Sequence, residues 1–299
     1  MDVLAATENG LYLITDDDEP ELLAEGAMRH VVAADEGSVA LAETGTLWSI
    51  DDEGAAEFDE LGIDSPSCLL LDDDAIWVGT QSARLVTVRG PEVSVVKAFE
   101  EVEGRDRWHT PWGDPASIRA MDIDDEGLLY VAVHVGGIII SRDGGDSWEP
   151  TAFELDWDVH QVVTVPDYPQ TVAAACGTGV AISTDAGETW DLVTAGLHAK
   201  YCRAIAVAGE TLVVSASEGP DGEKSTLYRM AIDGEKWIPC ENGLPLWFTH
   251  NVDTHCLAAW DEAVVCGTPD GAIYVSEDGG VHWDQVASDL PPIRAIALP

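Results

Sequence analysis

Three segments of the 299-residue chain share one pattern, S-x-D-x-G-x-x-W: Ser141 to Trp148, Ser183 to Trp190 and Ser276 to Trp283. A degenerate version occupies 231–237, from the Ala-Ile-Asp-Gly run to Trp237, so tryptophans 148, 190, 237 and 283 follow one another at 42, 47 and 46 residues. A fixed period in the forties marks a repeated supersecondary unit, and this range is that of four-stranded propeller blades. Each residue of the pattern has a local use. An apolar strand ends at the Ser, the Asp carboxylate takes backbone N–H groups of the turn, and the Gly supplies a positive φ. The Trp then opens the returning strand and covers the hairpin.

With the period known, the rest of the chain falls into register. Inner strands are predicted at 117–123 (SIRAMDI), 160–165 (HQVVTV), 202–207 (CRAIAV) and 254–260 (THCLAAW), each followed by an apolar run such as LLYVAV or TVAAAC. Alternation and β-branched content favour strands throughout, and no stretch supports a long amphipathic helix. Two blades without the pattern precede these, one opening with RHVVAAD and one with SCLLLD. The C-terminal PPIRAIALP matches an inner strand with nothing after it, whereas the N-terminal VLAAT reads as a second strand lacking a first. Pairing the two satisfies backbone groups that would otherwise form an open edge. The expectation is an all-β, seven-bladed β-propeller occupying 1–299 as one domain, with about 43 residues per blade.

Composition narrows the partners. There are 14 Lys+Arg against 56 Asp+Glu, a formal charge of -42, yet 46% of positions are hydrophobic and 11 are Trp, which excludes intrinsic disorder. A surface of that sign repels phosphate backbones and anionic headgroups, so neither nucleic acid nor membrane is an expected partner. Only 4 of the 14 basic residues are Lys. That balance resembles proteins of halophiles that keep molar salt in the cytoplasm, and the resemblance implies a halophilic archaeon as source. At molar salt the Debye length falls to about 3 Å and the self-repulsion is screened. The N-terminal stretch lacks a basic segment ahead of an apolar one, so a cytoplasmic location is expected. The six cysteines (Cys68, Cys176, Cys202, Cys240, Cys256, Cys266) form no CxxC pair, as reduced, mostly buried thiols would.

The S-x-D-x-G-x-x-W segments resemble Asp boxes, the BNR repeats of sialidase-like and related propellers. The stretch from HVGGIIISRDGGDSWEP through GTGVAISTDAGETW is similar to the central blades of prokaryotic BNR propellers often labelled glycosyl hydrolases, and the resemblance spans about 116–299. It implies the seven-bladed fold and places the boxes at the blade periphery, away from any active face. Sialidases require an Arg triad, a Tyr nucleophile with a Glu partner and an Asp acid/base. This chain has no Arg-Ile-Pro near its N-terminus, and Tyr201 beside Arg203 is the only Tyr placed for the channel mouth, so sialidase activity is not expected. Similar propellers include photosystem II assembly factors and sorting-receptor ectodomains, which bind proteins.

The register assigns the links between blades and the turns between second and third strands to one face, and the boxes to the other. Seven of the eight histidines, all but His282, map to the first face. Arg29, Arg119, Arg203 and Arg294 stand at the beginnings of inner strands. The candidate ligand-binding set is Arg29, His30, Trp108, His109, Arg119, His134, Trp157, His160, Arg203, His250, His255 and Arg294, drawn from these strands and from the aromatic-rich links 100–117 and 243–256. A ring of guanidinium groups would hold a carboxylate or phosphate; equally, each Arg would pair with an acid such as Glu25, Asp122 or Glu218. No cofactor and no metal is called for, since HxH and HExxH are absent and an ion would need ligands from separate blades, for instance His134, His160 and His255. Two functions follow: a binding scaffold offering its His/Trp/Arg face to a protein or small anionic ligand, or a hydrolase or lyase on a carboxylated sugar, with Arg119, Arg203 and Arg294 on the carboxylate and His160 or His255 as acid/base.

Overall fold

Seven four-stranded antiparallel sheets account for the chain, the arrangement of a seven-bladed β-propeller. The computed structural model describes all residues except 16–18, 35–36, 52 and 152–157. The strand Ile293–Ala297 pairs with Val3–Thr7, followed by Gly10–Ile14 and Glu21–Glu25, so the C-terminal strand completes the first blade as the sequence predicts. Among the described residues, helix is confined to Lys97–Glu100 and a 3-10 turn at Arg105–Arg107.

The chain divides into two compact units. The first, Met1–Ile63 with Thr194–Pro299, holds blade 1 and three others. Blade 2 runs from Met28–Ala34 to Gly54–Glu60, blade 6 from Tyr201–Ala208 to Ile238–Pro239, and blade 7 from Leu257–Trp260 to Asp284–Ala287. Its core packs Val3, Ala206, Val213, Val265, Ile273 and Ile296 between sheets, with a second cluster around Leu4, Leu11, Val31 and Ala40. The second unit, Asp64–Val193, holds blade 3 from Pro66–Asp72 to Glu92–Val95, blade 4 from Ser117–Ile123 to Glu149–Pro150, and blade 5 from Val159–Thr164 to Asp191–Val193. Here Trp77, Phe99, Ile118, Val131 and Trp148 pack together, with the Trp148 ring edge-on to both Trp77 and Phe99.

The repeated segments close the turn between third and fourth strands in blades 4, 5 and 7. Ser183 Oγ donates to Asp185 Oδ1 (2.8 Å) and accepts the Gly187 N–H (2.9 Å). Asp185 in turn accepts the Thr189 N–H (2.8 Å) and hydroxyl (2.6 Å), and Trp190 Nε1–H donates to the Gly187 carbonyl (3.2 Å). The turns at Ser141 and Ser276 repeat this network with Ser147 and His282 in the place of Thr189. Gly145, Gly187 and Gly280 have φ of 93°, 84° and 83°, the left-handed region that glycine enters without steric cost. The Asp therefore acts as expected, while the backbone N–H of the Gly is taken by the Ser.

Among the polar contacts that tie blade 4 to blade 5, one joins their first strands. Asp122, on the first strand of blade 4, accepts the Thr164 N–H (2.7 Å) and hydroxyl (3.1 Å) from the first strand of blade 5. Burial pushes its carboxyl up to about 6, against the opposing effect of these hydrogen bonds.

Candidate functional site

The first strands carry a repeated irregularity. In each of six blades the pairing with the second strand slips by one residue near the strand start, and the extra residues are Arg294, Arg29, Ser67, Arg119, His160 and, with Ala204, Arg203. A β-bulge removes its residue from the ladder and re-aims the side chain. Four arginines and one histidine of the predicted set thus occupy equivalent positions of the repeat. In blade 7 the corresponding His255 precedes the strand Leu257–Trp260 with φ of 65°, so the predicted strand there is shorter at its start.

Most of these cations are paired with acids. Arg29 is hydrogen-bonded to Glu43, and Arg294 reaches Glu8 (3.3 Å) and Glu43 (3.4 Å), which links blade 1 to blade 2. Burial and the Arg294 charge lower the Arg29 pKa while the two glutamates oppose them. Arg203 Nη1 donates to Asp253 (2.8 Å) and Nη2 to the Tyr201 hydroxyl (3.3 Å), so Tyr201 is engaged with the guanidinium. The pairing acids are Glu8, Glu43 and Asp253; Glu218, one of those anticipated, pairs with Lys224. Asp122, another, holds Thr164. Arg119 is half-buried.

The aromatic and imidazole residues separate by environment. Trp108 is buried, 5.8 Å from the Phe99 ring with the Arg105 guanidinium 5.0 Å over its own ring, which makes it part of the blade 3 core rather than an open contact. His109 and His250 are exposed, His109 Nδ1 lying 3.0 Å from the Thr110 carbonyl. His30 and His255 meet with ring centroids 3.8 Å apart. His198 lies between Tyr228 (5.8 Å) and Trp247 (5.0 Å). Trp157 lies outside the described residues.

His134 and His160 come together, and Asp158 joins them. His134 ends the second strand of blade 4 and His160 lies at the start of the first strand of blade 5, so both stand at the blade ends opposite the repeated S-x-D-x-G-x-x-W turns. Their Nε2 atoms approach the same Asp158 oxygen, Oδ1, at 2.9 Å and 3.1 Å. The rings stack with centroids 6.2 Å apart and 24° between planes. His160 is fully buried, while His134 and Asp158 keep side-chain exposures of 15% and 31%, so the cluster opens on one side to solvent. Burial works to raise the Asp158 carboxyl, but hydrogen bonds from His134 and His160 and the attraction of their charge outweigh it and hold the group well below the usual carboxylate range.

The expected histidine set is therefore altered. His134 and His160 converge as anticipated, but the third member beside them is Asp158; His255 belongs to the other unit and packs on His30. Asp158 was visible in the sequence as D-x-H, since residues i and i+2 of an extended segment share a side. Gly177, at the end of blade 5's second strand, gave no such signal. A Cβ there would lie 2.7 Å from Asp158 Oδ2, so the carboxylate occupies the place of a side chain.

No protein-family model matches the chain, and no curated relative matches its sequence. Solved structures do. An ancestral GH74 enzyme is similar over 96% of this chain with a TM-score of 0.65 and 15% identity, and the chain covers 40% of its length. The WD40 β-propeller domain of Doa1 gives a TM-score of 0.64 at 13% identity, over 96% of this chain and 88% of that one. The GH74 xyloglucanase from Xanthomonas campestris gives 0.60 at 16% identity, over 88% of this chain and 45% of that one. Likeness at these identities establishes the propeller fold, and function rests on the site.

Proposed function

We propose that the chain is an Asp-box propeller serving as a protein-interaction scaffold in a high-salt cytoplasm, with the inter-blade links as its contact surface. The supporting observation is a division of labour among the candidate residues. Arg29, Arg203 and Arg294, which would have held an anionic substrate, are committed to Glu43, Asp253 and Glu8, whereas the links expose large apolar groups. Trp112, on the link before blade 4, is 73% exposed, and Leu246 and Trp247, on the link before blade 7, are 78% and 39% exposed. Molar salt screens long-range charge and strengthens apolar burial, so anchors of this kind suit recognition there. The WD40 neighbour fits a scaffold role, and the GH74 neighbours fit the hydrolase alternative.

The test is capture from a high-salt lysate of the source cells on immobilised protein, followed by quantification of bound chains. Trp112→Ala or the pair Leu246→Ser and Trp247→Ala should release a specific partner without loss of folding. Capture insensitive to both sets, or turnover of a carboxylated oligosaccharide abolished by Arg119→Ala, would favour the hydrolase and overturn the scaffold.

A further inference from the structure

We propose that His134, Asp158 and His160 form a binding site for a divalent transition ion of the zinc class. The inference stands apart from the scaffold reading, because it rests only on three side chains within the second unit. His134 Nε2, His160 Nε2 and an Asp158 oxygen all lie within 4.8 Å of one another. Two of the separations are 2.9 Å and 3.1 Å. Zinc bonds of 2.0–2.1 Å in a tetrahedron put ligand atoms about 3.3 Å apart, so the two nitrogen–oxygen separations need to open by a few tenths of an ångström while the imidazole nitrogens settle to the same spacing.

The donor set suits the metal. The two imidazoles are borderline ligands that favour zinc, cobalt and nickel, and one carboxylate beside them falls short of the six or more oxygens that calcium or magnesium seek. Three protein ligands leave the fourth position of a tetrahedron open, on the side where His134 and Asp158 meet solvent. The backbone prepares the site as well. The bulge at His160 re-aims that imidazole, and Gly177, whose N–H donates to the Asp158 carbonyl (2.9 Å), leaves the carboxylate its space. Metal binding requires a lone pair on each Nε2, so each ring would carry its proton on Nδ1.

The experiment is titration of the chelator-treated full chain with Co(II) in excess Mg(II), which occupies exposed carboxylates without competing for imidazole. One equivalent should bind with visible d–d absorption of four-coordinate intensity, and Zn(II) should displace it. His134→Ala and Asp158→Asn should each weaken binding more than a hundredfold, beyond the 10–100-fold range typical of outer-shell changes. His282→Ala, which removes the exposed imidazole paired with Asp278, should leave it unchanged. Should a variant fail to fold, Zn(II) in the presence of Mg(II) must still raise the wild-type Tm as its concentration passes the Kd. Absence of a stoichiometric Co(II) spectrum, of that shift, or of any difference between His134→Ala and wild type overturns the proposal and leaves a hydrogen-bonded triad alone.

Discussion

Gly177 and Asp158 exclude one another's alternatives: the Asp158 carboxylate lies where a Cβ on Gly177 would stand, 2.7 Å from Oδ2, while the Gly177 N–H holds the Asp158 carbonyl at 2.9 Å. Gly177→Ala should displace the carboxylate from between the two imidazoles. The expected result is a loss of about 1–3 kcal/mol in denaturant unfolding, together with weaker Co(II) binding. Wild-type values in both measurements would show that the carboxylate has room to move.

The half-buried Asp122 gives a pH signature with a definite sign. Its carboxyl is raised to about 6, above the ordinary unfolded value of about 3.9, so the folded state binds the proton more tightly. Its contribution is fully present below the unfolded value and is lost as pH rises through about 6. Relative to Asp122→Asn, the wild type should therefore lose stability between pH 4 and 6 at up to about 1.4 kcal/mol per pH unit. Asp122→Ala, which strands the Thr164 N–H, should cost about 1–3 kcal/mol at any pH. Parallel wild-type and Asn curves would refute the raised value.

Within the repeated S-x-D-x-G-x-x-W turns, Ser183 is the hub. It is 1% exposed and serves both the Asp185 carboxylate and the Gly187 N–H. Ser183→Ala should lower stability by about 1–3 kcal/mol, since it leaves a buried donor unpaired. Ser183→Thr keeps the hydroxyl and should recover part of the loss. Equal stability of the Ala variant and wild type in urea melts would contradict the hub role.

Salt supplies a global check. A net charge of -42 over one chain repels itself, and the repulsion falls as the Debye length shrinks from about 10 Å at 0.1 M to about 3 Å at 1 M. The Tm should rise steadily across that range in KCl. A flat profile would argue against adaptation to molar salt.

All six cysteines are free and buried. Burial pushes the Cys68 and Cys202 thiols up to about 12. None should react with a thiol reagent at neutral pH until the chain unfolds, when six equivalents should appear in the same transition that circular dichroism reports. Rapid labelling in the native state would place at least one thiol nearer the surface.

The parts of this fold that were legible in the sequence are those whose cause is local. A repeated turn closes with its own Ser, Asp, Gly and Trp, so its pattern predicts its hydrogen bonds, and the unpaired terminal strand segments predict each other because an edge needs a partner. Trp108 read as an open contact because it sits on a long link, yet the short helix Lys97–Glu100 brings Phe99 under it, a packing that no periodicity announces. His255 was grouped with His134 and His160 by register alone, while its positive φ sets it outside the strand and against His30. Asp158 stands beside His160 in the sequence, but its pairing with His134 depends on an imidazole 24 residues earlier, on another blade.

The extra residue in six of the seven first strands has an evolutionary reading. Since that residue takes no part in the cross-strand ladder, exchanging Arg, Ser or His there alters what one sector displays without disturbing how the wheel is built. Repeated units therefore share one address at which the side chain differs among Arg, Ser and His.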